Sequence, residues 1–295
     1  MFAAVQTSAN RWRRPIGWIA VIAMLGWLGW RLNAIGWVAV WGALPTSPAF
    51  YALVLAAYLV LPLADALIYR RLWGVAVRRS LGVFLRKRVY NSALVGYSGE
   101  VALLVWARGR VERTDAAILH AIKDTNILSA VVSGCGAAVL VGWLSTRVDF
   151  SRLPTGAIAW WGAATVGLAA LLPLGLVVWR RALEMPGGDI AAVTAIHAAR
   201  FTLGLGLLAA QWWLVLSAIS GTALLTLLAV YVLVGRIPFV PNRDVLFVGI
   251  ALAVSSRLAL AQAPLAGLLI ATSALQQGLH LAVFALAALM REVPR

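Results

Sequence analysis

Charged residues are scarce in this chain, and acidic residues are the scarcest. Of 295 residues only 12% are charged, with 10 Asp and Glu against 25 Lys and Arg. Soluble domains carry about twice that share of charge, about 25%. No polar stretch is long enough to form a separate soluble domain, so a catalytic lobe outside a membrane is not expected.

Cysteine and the common catalytic motifs are also lacking. Cys135 is the only cysteine, which excludes an internal disulfide and a cysteine-ligated zinc site. The motifs GxSxG, HExxH and GxxxxGK[ST] do not occur, and the three histidines have no metal-ligand spacing. We therefore expect no metal, no cofactor and no catalytic constellation. One enzymatic alternative stays open, a membrane-embedded acyl or phosphoryl transferase that uses His120 with Asp124.

Apolar residues, in contrast, make up 62% of the chain, and its mean hydropathy is +0.90. A membrane-crossing helix needs about 20 mostly apolar residues. The candidate segments are 15–35, 48–69, 116–144, 154–179, 190–218, 221–236, 244–262 and 264–290. This pattern predicts an all-α integral membrane bundle of about eight transmembrane helices. We treat it as a single membrane domain whose halves cover about 1–150 and 151–295.

Basic residues, nearly all of them arginine, concentrate between the apolar segments. The formal net charge is +15, and Lys87 and Lys123 are the only lysines. No basic, aromatic-interleaved soluble module is present, so no nucleic-acid partner is expected. Positive links favour the cytoplasmic side of a membrane. Their alternation along the chain places both termini in the cytoplasm.

Residues 89–106 form an unusual apolar stretch. GYSG at 96–99 interrupts them, and Glu100 follows the interruption. Basic residues at 86–88 and 108–110 flank the stretch on both sides, so it should enter and leave a membrane by the same face. We predict a re-entrant hairpin, because non-helical backbone at membrane depth is tolerated only inside protein or beside a wet cavity. The alternative is an amphipathic helix that lies on the membrane surface.

A second interrupted stretch lies in the other half of the chain, in VLVGRIPFVPNRDVLFVGIAL. Pro238 and Pro241 mark its break, as Ser98 and Gly99 mark the first, and Asp244 opens the next helix. Paired broken segments are typical of transporters built from inverted repeats, with the two breaks at a central site. We predict that these four residues gate such a site.

Ionisable residues within apolar segments are costly and usually face the protein interior or water. The predicted substrate-binding set has three carboxylates and three cations: Glu100, Asp124, Asp244, Lys123, Arg200 and Arg257. The functional interpretation is a cationic cavity near the membrane midplane, in which the cations meet a lipid phosphate. The structural alternative is a set of paired charges that only fixes helix packing.

Two regions resemble the signature regions of the lysylphosphatidylglycerol synthase transmembrane family. They are YNSALVGYSGEVALLVWARGR with AAILHAIKDTNILSA, and GRIPFVPNRDVLFVGIALAVSSRL. The resemblance covers most of the chain. The positions that match the family motifs are Glu100, Lys123, Asp124, Pro238, Pro241 and Asp244. The chain departs from the family's usual turns at residues 97–99 and 241–243, which concerns the identity of the substrate.

The resemblance implies a multi-pass protein of the bacterial inner membrane that moves a polar lipid between leaflets. No synthase lobe is present, so the chain is not expected to make aminoacyl lipids. A membrane phospholipid or another polar lipid is the expected partner, and a second copy or a lipid-biosynthesis protein is a further candidate. The alternatives are a membrane-embedded enzyme of lipid metabolism and a non-catalytic partner of such an enzyme.

Overall fold

The computed structural model describes residues 36–93, 98–146, 182–216, 219–237 and 243–289, with four isolated positions before residue 36. Within these ranges there are helices and no strand, which confirms the all-α prediction there. The helices are α1 (Trp37–Gly42), α2 (Pro48–Trp73), α3 (Val77–Ala93), α4 (Ser98–Arg108), α5 (Asp115–Ser145), α6 (Gly187–Val215), α7 (Gly221–Val234), α8 (Arg243–Val254) and α9 (Gln262–Leu289). A 3₁₀ turn, Ser255–Leu258, follows α8.

Four of these helices, α2, α5, α6 and α9, are long and apolar enough to span a membrane. They correspond to the predicted segments 48–69, 116–144, 190–218 and 264–290. The predicted segment 221–236 is the shorter apolar helix α7, of 14 residues. The predicted segment 154–179 lies outside the described residues, and so does most of 15–35.

The predicted helix 244–262 is divided in the structure. Helix α8 has 12 residues, and the 3₁₀ turn after it ends at Leu258. Ala259 then adopts a left-handed conformation with φ 53°, and the Leu260 N–H donates to the Ser255 carbonyl at 2.9 Å. This six-to-one hydrogen bond with a left-handed residue is the usual way in which a helix terminates. The single spanning helix that we predicted here is therefore two shorter pieces.

The membrane-capable helices carry apolar side chains on their exposed faces. Over the 18 most apolar consecutive residues of each helix, only 11% of α6 and 39% of α2 is buried. Leu63 and Leu67 on α2 and Leu203 and Trp213 on α6 are exposed. Water would penalise such surfaces, whereas lipid tails solvate them. The exterior of these helices therefore suits a membrane.

The described residues fall into two units. One comprises those within Met1–Thr46 and Val215–Ser273, and the other comprises those within Ser47–Leu214 and Ala274–Arg295. These units do not follow the sequence halves 1–150 and 151–295, and the inverted repeat stays a prediction. The second unit contains α2 to α6, which hold the site described below.

Helices α3 and α4 form a helical hairpin that packs on α2. Near the connection, Ser98 Oγ donates to the Tyr90 carbonyl at 2.8 Å, and the Gly99 N–H donates to Asn91 Oδ1 at 2.7 Å. Farther along, Phe84 of α3 stacks on Tyr69 of α2, with ring centroids 5.3 Å apart. The basic residues 86–88 thus belong to α3 rather than to a solvated link, and the re-entrant insertion of residues 89–106 stays a prediction.

Gly99 allows α4 to approach α3 closely. A Cβ atom at this position would lie 2.4 Å from the Lys87 carbonyl oxygen. Real Cβ atoms do not come so near to backbone, and α3 would have to shift to admit even a methyl group. The small residues in GYSG thus have a packing function at the start of α4.

A buried charge cluster as the candidate functional site

Four charged side chains from four helices meet inside the second unit. Lys87 Nζ of α3 lies 2.8 Å from Asp65 Oδ2 of α2 and 3.5 Å from Glu100 Oε1 of α4. Arg200 of α6 completes the group, with a guanidinium nitrogen 3.7 Å from Asp65 Oδ1. We call Asp65, Lys87, Glu100 and Arg200 the charge cluster. It contains two cations and two carboxylates and is therefore formally neutral.

The charge cluster lies well inside the bundle. At about 1.5 Å per residue, Asp65 is about 12 Å from the α2 end at Trp73, and Glu100 is about 12 Å from the α4 end at Arg108. By the same measure Arg200 is about 20 Å from the start of α6. These helix ends belong to one end of the bundle, where Arg71 of α2 pairs with Asp189 of α6 at 2.8 Å. The charge cluster is therefore about two helical turns or more from these helix ends.

Uncharged polar groups of α5 and α6 surround the cluster. Ser129 Oγ of α5 accepts a 2.8 Å hydrogen bond from Arg200. His197, one helical turn before Arg200, places Nε2 3.1 Å from the Thr125 carbonyl oxygen of α5. His197 and Thr125 are almost fully buried, as is Tyr69 of α2. The five helices α2 to α6 thus each contribute polar groups to one region of the core.

Two buried acceptor atoms of this region have no hydrogen-bonding partner among the described residues. They are Glu100 Oε2 and His197 Nδ1, whereas the side chains of Tyr69 and Thr125 hydrogen-bond to each other. Buried polar groups are normally paired, and an unpaired one costs about 1–3 kcal/mol. Two such acceptors beside one charge cluster call for a donor that the described residues do not supply.

A proline explains how a second basic residue of α3 is accommodated. Pro62 lies inside α2 and has no N–H to donate to the Tyr58 carbonyl four residues earlier. Arg88 donates to that carbonyl instead, at 3.0 Å, and its guanidinium lies over the Tyr58 ring, 4.3 Å from the centroid. The helix defect in α2 therefore supplies the acceptor that the arginine needs inside the bundle.

Lys123 and Asp124 belong to a second group, which is built around the segment before α6. Asp124 is buried, and its Oδ2 accepts hydrogen bonds from the backbone N–H groups of Glu184 and Met185 at 2.8 and 2.9 Å. Lys123 Nζ donates to Glu184 Oε1 and to the Ala182 carbonyl, both at 2.9 Å. We call this group, with His120, the loop clamp.

The loop clamp is far more exposed than the charge cluster. The side chains of Lys123 and Glu184 are 38% and 50% exposed, against 8% and 4% for Lys87 and Asp65. His120 Nδ1 contacts Glu184 Oε2 rather than Asp124. The hydrogen bond from Lys123 holds the pKa of the Glu184 carboxyl below its ordinary value. His120 and Asp124 each bond to the 184–185 segment, and the transferase alternative that would use them together stays a hypothesis.

The predicted site residues are thus distributed over three places. Glu100 and Arg200 lie in the charge cluster, and Lys123 and Asp124 lie in the loop clamp. Asp244, half-buried at the start of α8, and the exposed Arg257 lie in the other unit.

The predicted gating residues divide in a similar way. Ser98 and Gly99 tie the start of α4 to α3. Pro238 and Pro241 lie outside the described residues. A gating function stays a prediction for all four.

Sequence reasoning missed the two most buried members of the charge cluster, Asp65 and Lys87. The signal for Lys87 was present, since Ser80, Val83, Phe84 and Lys87 follow the spacing of one helical face, and all four are buried. A lysine in the apolar stripe of a short helix is not a solvated flank.

Comparisons with known proteins do not identify this site. No protein-family model, no curated protein and no solved structure matches the chain. The site is therefore interpreted from its own geometry.

Proposed function

We propose that this protein is a translocase that moves a polar lipid between the leaflets of a bacterial inner membrane. The charge cluster receives the headgroup while the acyl chains stay in the bilayer. In this proposal the α3–α4 hairpin is a re-entrant element, both termini are cytoplasmic, and the chain is similar to the lysylphosphatidylglycerol synthase transmembrane family. The sequence resemblance and the cluster's position support the proposal independently.

The observation that carries the proposal is the burial of four charges among helices that are apolar outside. Removing an ion from water costs several kcal/mol even after the protein relaxes. Apolar residues of similar volume often stabilise a fold as well as or better than a buried ion pair does. Helix packing alone therefore does not require the charge cluster, and the unpaired atoms beside it are a further cost. Charges kept at such depth usually mark a substrate or ion pathway.

The test is lipid translocation in proteoliposomes, with fluorescent phospholipid analogues and an impermeant reductant that bleaches the outer leaflet. The wild-type chain should make the inner-leaflet analogue accessible to the reductant. Glu100→Gln keeps the size of the side chain and removes its charge, and we expect it to abolish most of this activity. Glu112→Gln makes the same change at an exposed carboxylate outside the charge cluster; it is the matched control and should retain the activity.

Four outcomes would contradict the proposal or replace it. Wild-type vesicles that behave like protein-free vesicles would remove the translocase function. Equal activity in Glu100→Gln and in the wild type would remove the charge cluster from the mechanism. Product formation from lipid substrates in detergent, where there are no leaflets, would favour the enzyme alternative. A co-purifying lipid-pathway protein without translocation would favour the partner alternative.

A further inference from the structure

The two unpaired atoms beside the charge cluster differ in their chemistry. Glu100 Oε2 is a carboxylate oxygen and can only accept a hydrogen bond when the group is ionised. The role of the other atom, His197 Nδ1, depends on the tautomer of its ring.

The tautomer follows from the partner of the other ring nitrogen. His197 Nε2 lies 3.1 Å from the Thr125 carbonyl oxygen, which can only accept. The hydrogen of the neutral ring is therefore on Nε2, and Nδ1 carries a lone pair. His197 Nδ1 is thus a second acceptor that lacks a donor, in a side chain that is 1% exposed.

The two carboxylates of the cluster already balance the charge of its two cations. Lys87 lies between Asp65 and Glu100, and Arg200 bonds to Ser129 and approaches Asp65. A bare phosphate would add negative charge to a neutral group and would leave both orphan acceptors unpaired. A group with N–H or O–H donors would satisfy those acceptors without that penalty.

Access to the cluster differs between its members. The side chains of Glu100 and Arg200 are 13% and 18% exposed, whereas those of Asp65 and Lys87 are 4% and 8% exposed. Asp65 and Lys87 thus form the closed side of the cluster. Glu100 and Arg200 lie at its more open side, but Glu100 Oε2 itself is buried, so a ligand would reach that oxygen only after the helices separate there.

We infer that the charge cluster binds a lipid headgroup through hydrogen bonds that the headgroup donates, from a primary ammonium or from hydroxyl groups. This inference rests on the proposed function and names the class of its substrate. It excludes headgroups without donors, such as choline, and excludes phosphate as the recognised group. The inferred site also differs from the cationic cavity that the sequence suggests, because hydrogen-bond acceptors rather than cations select the ligand.

The experiment compares short-chain phospholipids as ligands of the detergent-purified full-length chain. Phosphatidylethanolamine and phosphatidylcholine carry the same formal charge, but only the first has N–H donors. Phosphatidylglycerol offers hydroxyls, and inorganic phosphate offers a phosphate anion without any lipid headgroup. Binding is read from tryptophan fluorescence and from the shift in melting temperature. One satisfied buried acceptor corresponds to about 5- to 150-fold in affinity.

We expect the ethanolamine or the glycerol lipid to bind at least about fivefold more tightly than the choline lipid, with no binding of inorganic phosphate. Preference for ethanolamine alone would identify an ammonium ligand, and preference for glycerol alone would identify a hydroxyl ligand. Equal binding of all three lipids would overturn the inference, as would binding of none. Tight binding of phosphate alone would restore phosphate as the recognised group.

Two variants assign the effect to the cluster. Glu100→Gln replaces one acceptor with a donor and should remove most of the headgroup preference, while Glu112→Gln, the same change at an exposed carboxylate, should leave it unchanged. The melting temperature without ligand shows whether each variant folds. Retained preference in Glu100→Gln would overturn the inference.

This experiment separates the inference from the proposed function. Translocation of all headgroups at equal rates would leave the function standing and remove the inference. Headgroup-selective binding without translocation in vesicles would do the reverse.

Discussion

The charge cluster and the loop clamp use the same residue types in different surroundings. Each pairs a lysine with two carboxylates, and each has a lysine–carboxylate contact of 2.8 or 2.9 Å. Lys87 is closed off among five helices, whereas Lys123 remains 38% exposed. The contact distances alone would suggest that the two groups are equivalent.

The two groups should differ in their contribution to stability, because one is buried and the other is exposed. Water and salt screen an exposed pair, which contributes about 0–1 kcal/mol at most sites. In a buried pair the loss of one partner leaves an uncompensated charge. Four changes test how far this difference extends, from the largest expected effect to the smallest.

Lys87→Met should have the largest effect. It removes the cation between Asp65 and Glu100, and we expect a loss of about 3–5 kcal/mol in the free energy of unfolding. Lys123→Met is the matched change in the loop clamp and should leave stability nearly unchanged. Unfolding of the detergent-purified chain by heat or by dodecyl sulfate measures both. Adding Asp65→Asn and Glu100→Gln to Lys87→Met should restore part of the loss, and equal stability of the two lysine variants would contradict the comparison.

Gly99→Ala should follow, because its Cβ would lie 2.4 Å from the Lys87 carbonyl oxygen and force α3 away from α4. We expect a loss of about 1–3 kcal/mol. Gly204→Ala in α6 is the control, since a Cβ there meets nothing within 4 Å. The same unfolding assay applies. A Gly99→Ala chain as stable as the control would show that the hairpin is looser than the structure has it.

Asp124→Ala tests the buried member of the loop clamp. It leaves the N–H groups of Glu184 and Met185 without their acceptor, and we expect a loss of about 1–2 kcal/mol. The segment before α6 should become more susceptible to limited proteolysis, while the charge cluster stays intact. Lipid translocation that fell as far as in Glu100→Gln would instead place Asp124 in the mechanism.

The smallest effect should be the pH dependence of the loop clamp. The Lys123 hydrogen bond lowers the pKa of the Glu184 carboxyl from 4.5. A carboxyl whose pKa is lowered on folding stabilises the fold above its ordinary pKa and loses that contribution as the pH falls through the lowered value. The difference in melting temperature between the wild type and Glu184→Gln should therefore shrink as the pH falls below 4.5 and vanish below the lowered value. A difference that grew as the pH fell below 4.5 would have the wrong sign.

The sequence predicts the long helices well, because hydropathy over about 20 residues is a local property. Segments 48–69 and 116–144 differ from α2 and α5 by a few residues at most. Glu100 and Arg200 were found because charges in apolar runs are conspicuous. Asp65 and Lys87 were missed because their pairing joins two helices and no local pattern encodes it.

The counting of positive charges was also misleading at one place. It treats every basic cluster beside an apolar run as a solvated flank. Residues 86–88 instead belong to a helix that packs on α2. There Lys87 pairs with Asp65, and Arg88 donates to the Tyr58 carbonyl that Pro62 leaves without a helical partner. Tertiary partners, which are invisible in a single sequence, decide between these outcomes.

The defect at Pro62 also constrains how the protein can move. Lys87 on Asp65 and Arg88 on the Tyr58 carbonyl fix the register of α3 along α2, and Gly99 fixes α4 on α3. Sliding the hairpin along α2 by one turn would break the first two contacts at once, and sliding α4 along α3 would break the third, so α2, α3 and α4 should travel as one rigid body. The contacts with α6 include the longer 3.7 Å contact of Arg200, the exposed Arg71–Asp189 pair and a 3.3 Å hydrogen bond from Gln211 to the Leu53 carbonyl. In a conformational cycle the helices would separate at the boundary with α6, and the contact between Arg200 and Asp65 would hold the closed state together.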